Sequence, residues 1–306
     1  MSVRNQRGAV LLLVLVVVAL LSALLTDWAF STLVDLRLTE TFRDSNRAYY
    51  LARGGVEVGR QLLSEDDNGY DSASEMWGVG VPAYPVNDDS TVSISIVDED
   101  GRFNLNRVVD SLGENPNPLM RDRFRRLLTS LEINDPEALS DALIDWIDRN
   151  QATQPRGAEN SWYQGLAQPL ATKDGPLDTI DELLLVKGFT PEIVRRLTPL
   201  VTVAAVSRLN VNSASKELLL IWDPDVAASV IDQLLERRKE KPLKSLAEVQ
   251  ETIGMENYSA LNRNLDIAVT SQYYLVTSKG QVNDGARTVE ALLQKSGNRQ
   301  LWRRVY

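Results

Sequence analysis

The chain opens on a seventeen-residue apolar run, Ala9–Leu25, that contains no charged residue and a single serine. As an α-helix this run spans about 25 Å, close to the thickness of the hydrocarbon core of a bilayer. Arg4 and Arg7 precede the run, and the first acidic residue comes only after it. Because positively charged flanks stay on the cytoplasmic side, the pattern predicts a transmembrane helix over 9–29, with residues 1–8 in the cytoplasm.

Helical spacing continues beyond the membrane run. Apolar residues recur at helical intervals, and the first proline is Pro82. The residues in this register are Phe30, Leu33, Leu38, Phe42, Tyr49, Ala52 and Val56. A secretory signal peptide has a shorter apolar region, about 7–15 residues, that ends in a small-residue cleavage site. The pattern therefore favours one long helix, apolar and then amphipathic, and a plain signal anchor is the alternative.

The next part of the chain has strand periodicity. Residues 64–90 are polar and rich in Gly and Pro, which predicts a loop. Val92–Val97 alternates apolar and polar residues and predicts a strand, followed by a turn at Asp98–Gly101. Arg102–Asn106 is the candidate second strand of this hairpin.

From about residue 117 the periodicity is helical, and after 265 it returns to that of strands. The predicted helices are Met120–Leu131, Pro136–Asp148, Asp178–Val186, Thr190–Leu200, Ser213–Ile221, Asp225–Lys239 and Ser245–Ile253. The predicted later strands are Asp266–Thr270, Tyr273–Lys279, Arg287–Lys295 and Leu301–Tyr306. The fold class is therefore α+β, with a β-containing frame over 30–115 and 266–306 and an inserted all-α domain over 116–265.

Composition narrows the available chemistry. The chain has no cysteine and no histidine, which excludes disulfides, thiolate or imidazole metal sites and the Ser–His nucleophile pair. Its net charge is −9, which disfavours general binding to phosphate backbones. Carboxylates and other oxygen ligands are the chemistry that remains.

The N-terminus resembles that of type IV pilin-like proteins, because a short basic leader ends in Gly8 directly before the apolar helix. The resemblance implies cleavage by a prepilin peptidase between Gly8 and Ala9, and N-methylation of the new terminus. Most of these proteins have Glu at the fifth mature position, where this chain has Leu13.

The order of segments resembles the K-type minor pseudopilins of type II secretion systems. These proteins also lack the glutamate and hold a large helical insertion in a pilin sheet. The phrases RAYYLARGGVE (47–57) and VDEDGRFNLN (97–106) are similar to the end of their long helix and to their hairpin. A type IV pilus minor pilin is an alternative, for which no such insertion is expected.

One loop in the insertion concentrates oxygen ligands. Asp148, Asn150 and Glu159 stand at positions 1, 3 and 12 of a loop, a spacing like that of an EF-hand, and Asp145 lies one turn earlier on the same helix face. Position 6 is Thr153 instead of Gly, so the loop is not an EF-hand. The phrase DWIDRN…GAEN…Y resembles the calcium loop of K pseudopilins, which implies a calcium site. A solvated polar loop and an acid–base pair are the alternatives.

Two segments, 177–203 and 209–250, look like helix-hairpin-helix units, which often bind DNA phosphates through turn amides. This makes a membrane-anchored DNA receptor the rival function. Its turns argue against it, because Lys187-Gly188-Phe189 keeps one glycine and Trp222-Asp223-Pro224-Asp225 has two acids and a proline without an N–H. The units are predicted to be a packing scaffold without nucleic-acid binding.

The resemblance as a whole implies a non-enzymatic assembly protein. It predicts a single-pass inner-membrane protein with its bulk in the periplasm, located at the pseudopilus tip, where it initiates assembly and assists export of folded proteins across the outer membrane. The implied partners are the minor pseudopilins I and J and the prepilin peptidase, and secreted substrates are further candidates.

Overall fold

The computed structural model describes residues 6–306, with side chains from residue 8; Arg4 therefore lies outside the described residues, as does the side chain of Arg7. A single helix, α1, runs over Gln6–Glu65. Residues 8–39 are exposed along their whole length, and the first buried residue of α1 is Asp44. This helix is long and apolar enough to cross a membrane. The predicted long helix is thus present, and its first half stands clear of the rest of the chain.

The second half of α1 packs on a five-stranded antiparallel sheet of order β1-β2-β7-β8-β9. The strands are β1 (Val81–Asn87), β2 (Ser90–Asp98), β7 (Tyr273–Val282), β8 (Gly285–Gln294) and β9 (Arg299–Val305). Alternate residues such as Ile94, Val276 and Val289 face α1 and form a core with its Ala52 and Val56. The period-2 alternation predicted at Val92–Val97 follows from this single buried face.

Glycines bring the helix close to the sheet. A Cβ at Gly280 on β7 would lie 2.8 Å from the backbone nitrogen of Ala52. A Cβ at Gly55 on α1 would lie 3.1 Å from both Ser278 Cβ and Val92 Cγ2, and closer still to Ser278 Oγ. The missing side chains let α1 and β7 approach in direct contact, which a larger residue on either element would prevent.

The chain between β2 and β7 forms the helical part of the fold, with two two-stranded parallel pairs, β3–β4 and β5–β6. Its helices are α3 (Pro118–Ser130), α4 (Pro136–Ile147), α5 (Asn160–Gln164), α6 (Pro191–Leu197), α7 (Lys216–Trp222), α8 (Ala228–Glu240), α9 (Leu246–Ile253) and α10 (Met255–Leu261). The short strands are β3 (Phe103–Asn104), β4 (Val201–Thr202), β5 (Leu209–Asn210) and β6 (Ile267–Ala268), and 3₁₀ helices cover Leu105–Val108 and Ile180–Leu185. A separate core of leucine, valine and aromatic side chains fills this part, centred on Phe103, Phe124 and Trp222.

A buried ion pair fastens the helical part internally. The guanidinium of Arg123 on α3 is fully buried, donates to the carboxylate of Asp266 and to the Trp222 carbonyl (2.7 Å), and lies 3.9 Å from the Trp222 ring centroid. Because removal of one partner would leave a buried charge, this contact fixes α3 against α7 and the approach to β6.

A polar network joins the helical part to the sheet where the chain leaves β2. The Asp98 carboxylate is buried and accepts hydrogen bonds from Asn210 Nδ2 (2.9 Å), Ser271 Oγ (2.6 Å) and Ser213 Oγ. The adjacent Asp100 accepts the backbone N–H groups of Gln272 (2.9 Å) and Tyr273. The exit of the chain from the sheet and its return are therefore bonded to the same two acids.

The region between α1 and β2 differs from the predicted loop. It contains a short helix, α2 (Met76–Val79), and the edge strand β1, which carries Pro82 and Pro85. Those prolines obscure the strand in the sequence, yet an edge strand tolerates them because its outer N–H groups need no partner. The strand predicted at Arg102–Asn106 is also shorter, with two residues in β3 followed by a 3₁₀ turn. The predicted hairpin is wrong, because β3 pairs in parallel with β4 and not with β2.

Neighbouring glycines of α1 provide a matched test of the close helix–sheet approach. Gly55→Ala should lower the free energy of unfolding of residues 30–306 by about 1–3 kcal/mol, because the new Cβ meets Ser278 and Val92. Gly54→Ala, where nothing lies within 4 Å, should instead gain up to about 1 kcal/mol from helix propensity. Urea unfolding followed by tryptophan fluorescence measures both, and equal effects of the two substitutions would contradict the packing argument.

Candidate metal centre

Three carboxylates converge at the C-terminal end of α4. Asp145 lies in the last turn of this helix, and Asp148 is its C-cap, donating its backbone N–H to the carbonyl of Ile144 at 2.8 Å. The following loop returns so that Glu159, the N-cap of α5, reaches the same point. The helix itself begins at Pro136, whose fixed φ suits a first helical position.

The carboxylate oxygens of Asp145, Asp148 and Glu159 lie within 4.8 Å of one another. All three residues are buried, with exposed fractions of 0%, 0% and 3%. Both oxygens of Asp145 accept the Gln154 N–H, at 3.0 and 3.2 Å, whereas the four oxygens of Asp148 and Glu159 have no hydrogen-bond partner in the described chain. Buried acceptors without donors are rare in native proteins, and a cation is the usual partner of such a group.

A glycine creates the space beside these acids. A Cβ at Gly157 would come within 2.7 Å of Asp145 Cγ and collide with its carboxylate. The glycine of the phrase GAEN therefore lets the loop fold directly over the acids, and a substitution there would push the loop away from them.

Burial and mutual repulsion raise the pKa values of the three carboxyl groups. Burial raises the pKa of Asp145 to about 6, and burial together with the charge of Asp145 raises the pKa of Asp148 to about 6. For Glu159, burial and then the charges of Asp145 and Asp148 raise the pKa to about 7. A bound divalent cation would reverse this balance, because it stabilises every ionised carboxylate around it.

The side chain of Asn150, which was also predicted to be a ligand, is hydrogen-bonded to backbone groups. Its amide nitrogen donates to the carbonyl of Glu114 at 2.6 Å, and its amide oxygen accepts the Ala152 N–H at 2.7 Å. The side-chain groups of Asn150 thus hold the loop, and its oxygen already has a donor.

Two residues outside the predicted set also have a buried oxygen without a partner. Asn160 Oδ1, which directly follows Glu159 in the chain, and Asp174 Oδ1 have no partner in the described chain. After burial and the charge of Asp145, the charge of Asp174 also raises the pKa of both Asp148 and Glu159. Asp174 has a positive φ of 50°, a turn conformation that Asp tolerates, and it lies outside the loop whose spacing gave the predicted ligands.

The residues predicted at the N-terminus are far from this centre. Gly8, Ala9 and Leu13 all lie in the exposed first turns of α1, and Leu13 is 65% exposed. A side chain at Gly8 would meet nothing within 4 Å. The structure therefore leaves the predicted processing position accessible on the helix surface.

The first helix-hairpin-helix turn supports the carboxylate loop. The Lys187 backbone N–H donates to Tyr163 Oη at 2.9 Å, and Lys187 Nζ donates to the Gly157 carbonyl at 2.9 Å. Gly188 has φ +87° and lies against Leu139 of α4. The amide that would face a DNA phosphate in a binding hairpin is used inside the protein.

The second turn is similarly engaged. Asp223 is buried, accepts the Asp225 N–H at 3.0 Å, and pairs with Arg263 at 3.3 Å. Arg263 also pairs with Asp225 at 2.5 Å. The exposed Arg263 is thus paired with both carboxylates of this turn.

An apolar helix long enough to cross a membrane, continuous with an amphipathic one that packs on an antiparallel sheet interrupted by a large helical part, is typical of a pilin-like protein. Two sequence profiles described as "Type II secretion system (T2SS), protein K" match residues 101–206 and 209–268, together more than half of the chain. The chain belongs to this family, and it is a minor pseudopilin of the type II secretion system. The resemblance in the sequence and the predicted fold class are both confirmed.

Relatives of similar length support the assignment. The type II secretion system proteins K of Aeromonas hydrophila and Pseudomonas aeruginosa are each 26% identical to this chain. The alignments cover 98% and 95% of this chain and 96% and 90% of those proteins. The protein K of Pectobacterium carotovorum is 27% identical over 99% of this chain and 97% of its own.

A solved structure shares the fold. A chain in the crystal structure of the GspK-GspI-GspJ complex from the type 2 secretion system of enterotoxigenic Escherichia coli superposes with a TM-score of 0.74. The match covers 88% of this chain and 99% of that one at 18% identity. The likeness extends from the sheet through the helical part.

The repulsion in the carboxylate cluster predicts a pH dependence of stability in the presence of a chelator. Because the folded state holds these pKa values above their ordinary range, it binds more protons than the unfolded state up to about pH 7. Stability should therefore fall as the pH rises from about 5 to about 8. Glu159→Gln should be more stable than the wild type at pH 8 and lose less stability across this window, measured by thermal unfolding at each pH.

Glu251→Gln is the matched control, since Glu251 is an exposed helix residue outside the cluster. Other buried acids also make stability depend on pH, including Asp100, whose pKa burial raises to about 7. Their effect is the same in the wild type, Glu159→Gln and Glu251→Gln. A Glu159→Gln protein with the same pH slope as the wild type would show that the cluster does not repel itself.

Proposed function

We propose that this chain occupies the tip of the pseudopilus, initiates its assembly and assists the export of folded proteins across the outer membrane, without enzymatic activity. The observation that carries this proposal is the position of the helical part. At the membrane-proximal end of the sheet, Asn283 Nδ2 donates to Asp44 Oδ2 at 2.8 Å, whereas at the other end Lys295 Nζ donates to Asp66 at 2.9 Å. The helical part leaves β2 at Asp98 and rejoins β7 at Tyr273, so both connections lie at the end farthest from the membrane.

A domain of this size at the membrane-distal end leaves no room for another pilin-like subunit above it. The helix below it, by contrast, is open along residues 8–39 for side-by-side packing with neighbours. A subunit with a free lower helix and an obstructed upper end suits the first position of a filament.

The N-terminus fits the same placement. Cleavage between Gly8 and Ala9 by the prepilin peptidase would leave the apolar helix in the inner membrane and the bulk of the chain in the periplasm. Leu13 then stands where most pilin-like proteins have the glutamate thought to pair with the terminal amine of a neighbouring subunit. A subunit without that carboxylate does not recruit the neighbour above it, as a tip subunit requires.

The minor pseudopilins I and J are the proposed direct partners. The chain with the same fold was crystallised in a GspK-GspI-GspJ complex, which supports the equivalent assembly here. Secreted substrates are further candidate partners at the tip. The internal hydrogen bonds and ion pairs of the two hairpin turns argue against the DNA-receptor alternative.

Residues 30–306, mixed with the soluble parts of I and J from the same genome, should form a stable 1:1:1 complex. Size-exclusion chromatography with light scattering measures its mass, and the mixture of I and J alone is the control. No complex, together with salt-sensitive binding of duplex DNA, would overturn the tip proposal in favour of a DNA receptor.

The carboxylate cluster is proposed to hold calcium. Asp145, Asp148 and Glu159 would supply the charged oxygens, and Asp174 and Asn160 have buried oxygens free to join them. A hard cation that takes several oxygen ligands in flexible geometry fits such a set. The ion would neutralise the buried charges and tie the end of α4 to α5, so its role here is structural.

Calcium should raise the melting temperature of residues 30–306, and a chelator should lower it. At a concentration 100 times the Kd, one bound ion adds about 2.7 kcal/mol to the free energy of unfolding. Glu159→Gln and Asp148→Asn should lose this response, and Glu251→Gln should keep it. Melting curves that coincide with calcium and with chelator would rule out the site while leaving the tip proposal intact.

A further inference from the structure

The last strand of the sheet, β9, has an open edge. The backbone groups of Tyr306 and Thr288 exchange both hydrogen bonds, at 2.9 and 3.2 Å. Hydrogen-bonded and non-hydrogen-bonded pairs alternate along an antiparallel ladder. Counted from this bonded pair, Val305 with Val289 and Arg303 with Ala291 are non-hydrogen-bonded pairs. The N–H and C=O groups of Val305 and Arg303 therefore point away from β8, and no strand of the described chain covers them.

The opposite edge of the sheet is unsuited to strand addition. Strand β1 contains Pro82 and Pro85, which have no N–H, and its register with β2 is interrupted twice. Proline and irregular pairing are common devices that block an edge. Strand β9 has neither proline nor glycine, and its register with β8 is interrupted once, between Leu292 and Leu293. From Trp302 to Val305 its pairing is regular, so this part of the edge differs from β1 in its capacity to pair.

The side chains of β9 combine apolar surface with unpaired positive charge. Leu301 and Val305 are 42% and 48% exposed. Arg299, Arg303 and Arg304 have no carboxylate within 4.0 Å among the residues whose side chains the structure describes. Strand β9 thus carries three arginines in seven residues of a chain whose net charge is −9.

This charge selects the occupant. Two copies of the chain pairing through β9 would bring six arginines together, and like charges on adjacent strands are destabilising. Arg303 and Arg304 are consecutive and point to opposite faces of the sheet. An extended segment with carboxylates on alternate residues would instead pair with Arg303 across the new ladder.

A groove beside β9 offers space for the outward side chains of such a segment. A cavity of about 230 Å³ lies on the sheet face opposite α1. Trp302, Arg304 and Tyr306 line its β9 side, and Ile180 and Ala204 of the helical part line the facing wall. Four acids also line it: Glu99, Asp178, Asp181 and Glu290. These acids would repel carboxylates, so the apolar face of an added strand would lie next to this groove and its acidic face would lie on the Arg303 side.

We propose that the open edge of β9 binds an extended acidic segment of a partner protein by strand addition. The backbone groups of Arg303 and Val305 supply the pairing, and the Arg303 side chain selects the charge. This inference stands on the edge geometry and does not depend on the proposed tip position.

The full chain in detergent micelles tests it with a capped, fluorescent seven-residue peptide of alternating Val and Glu. Its counterpart with Lys in place of Glu is the peptide control. The Glu peptide should bind in anisotropy titrations and slow hydrogen exchange of the Arg303 and Val305 amides, and the Lys peptide should do neither. Arg303→Glu should weaken binding by about tenfold, since it turns an attractive cross-strand pair into a repulsive one.

Lys279→Glu is the matched control variant, because Lys279 is equally exposed but lies on β7, where both strand edges are already paired. It should leave the affinity unchanged. Val305→Pro, which removes an outward N–H and no bond to β8, should abolish protection of the edge. Equal binding of the two peptides, unaltered exchange at β9, or concentration-dependent self-pairing through β9 would each overturn the proposal.

Discussion

The buried carboxylate of Asp98 stands where the helical part leaves the sheet, and the two halves of the molecule depend on how it is satisfied. Asn210 and Ser213 reach it from the helical part, while Ser271 reaches it from the returning chain. Burial raises the pKa of Asp98, and its hydrogen-bond donors act in the opposite direction. Because an acid left unpaired there would be costly, any tilt of the helical part against the sheet is opposed by the loss of these bonds.

The carboxylate cluster also buries ionisable acids, but it surrounds them differently. At Asp98, neutral donors surround the acid, and the network is complete within the protein. At Asp148 and Glu159, the described chain supplies no donor, and the neighbours are further acids. Gly157 removes the side chain that would separate the loop from Asp145, so the chain brings the charges together. The fold therefore satisfies the buried carboxylate of Asp98 with neutral donors but places the cluster carboxylates against one another, which is the arrangement that the proposed calcium ion would stabilise.

Much of this could be predicted from the sequence, because local periodicity reflects which faces are buried. The apolar run at 9–25 indicates a segment that can cross a membrane. The alternation at 92–97 indicates a strand with one face buried against a helix. Asp148 and Glu159 were found because one short loop holds both. Asp174 was not, because tertiary folding alone brings it to the cluster from beyond α5. Strand β1 was hidden by prolines that only an edge position permits.

The helix-hairpin-helix units show how a scaffold associated with one function can serve another. In a DNA-binding hairpin, turn amides and a helix N-terminus face outward to meet a phosphate. Here the Lys187 amide bonds to Tyr163, the Lys187 ammonium holds the loop at Gly157, and Asp223 is buried against Arg263. These three groups are committed to packing the domain or to closing the carboxylate loop. The hairpins therefore contribute to the packing of the helical part.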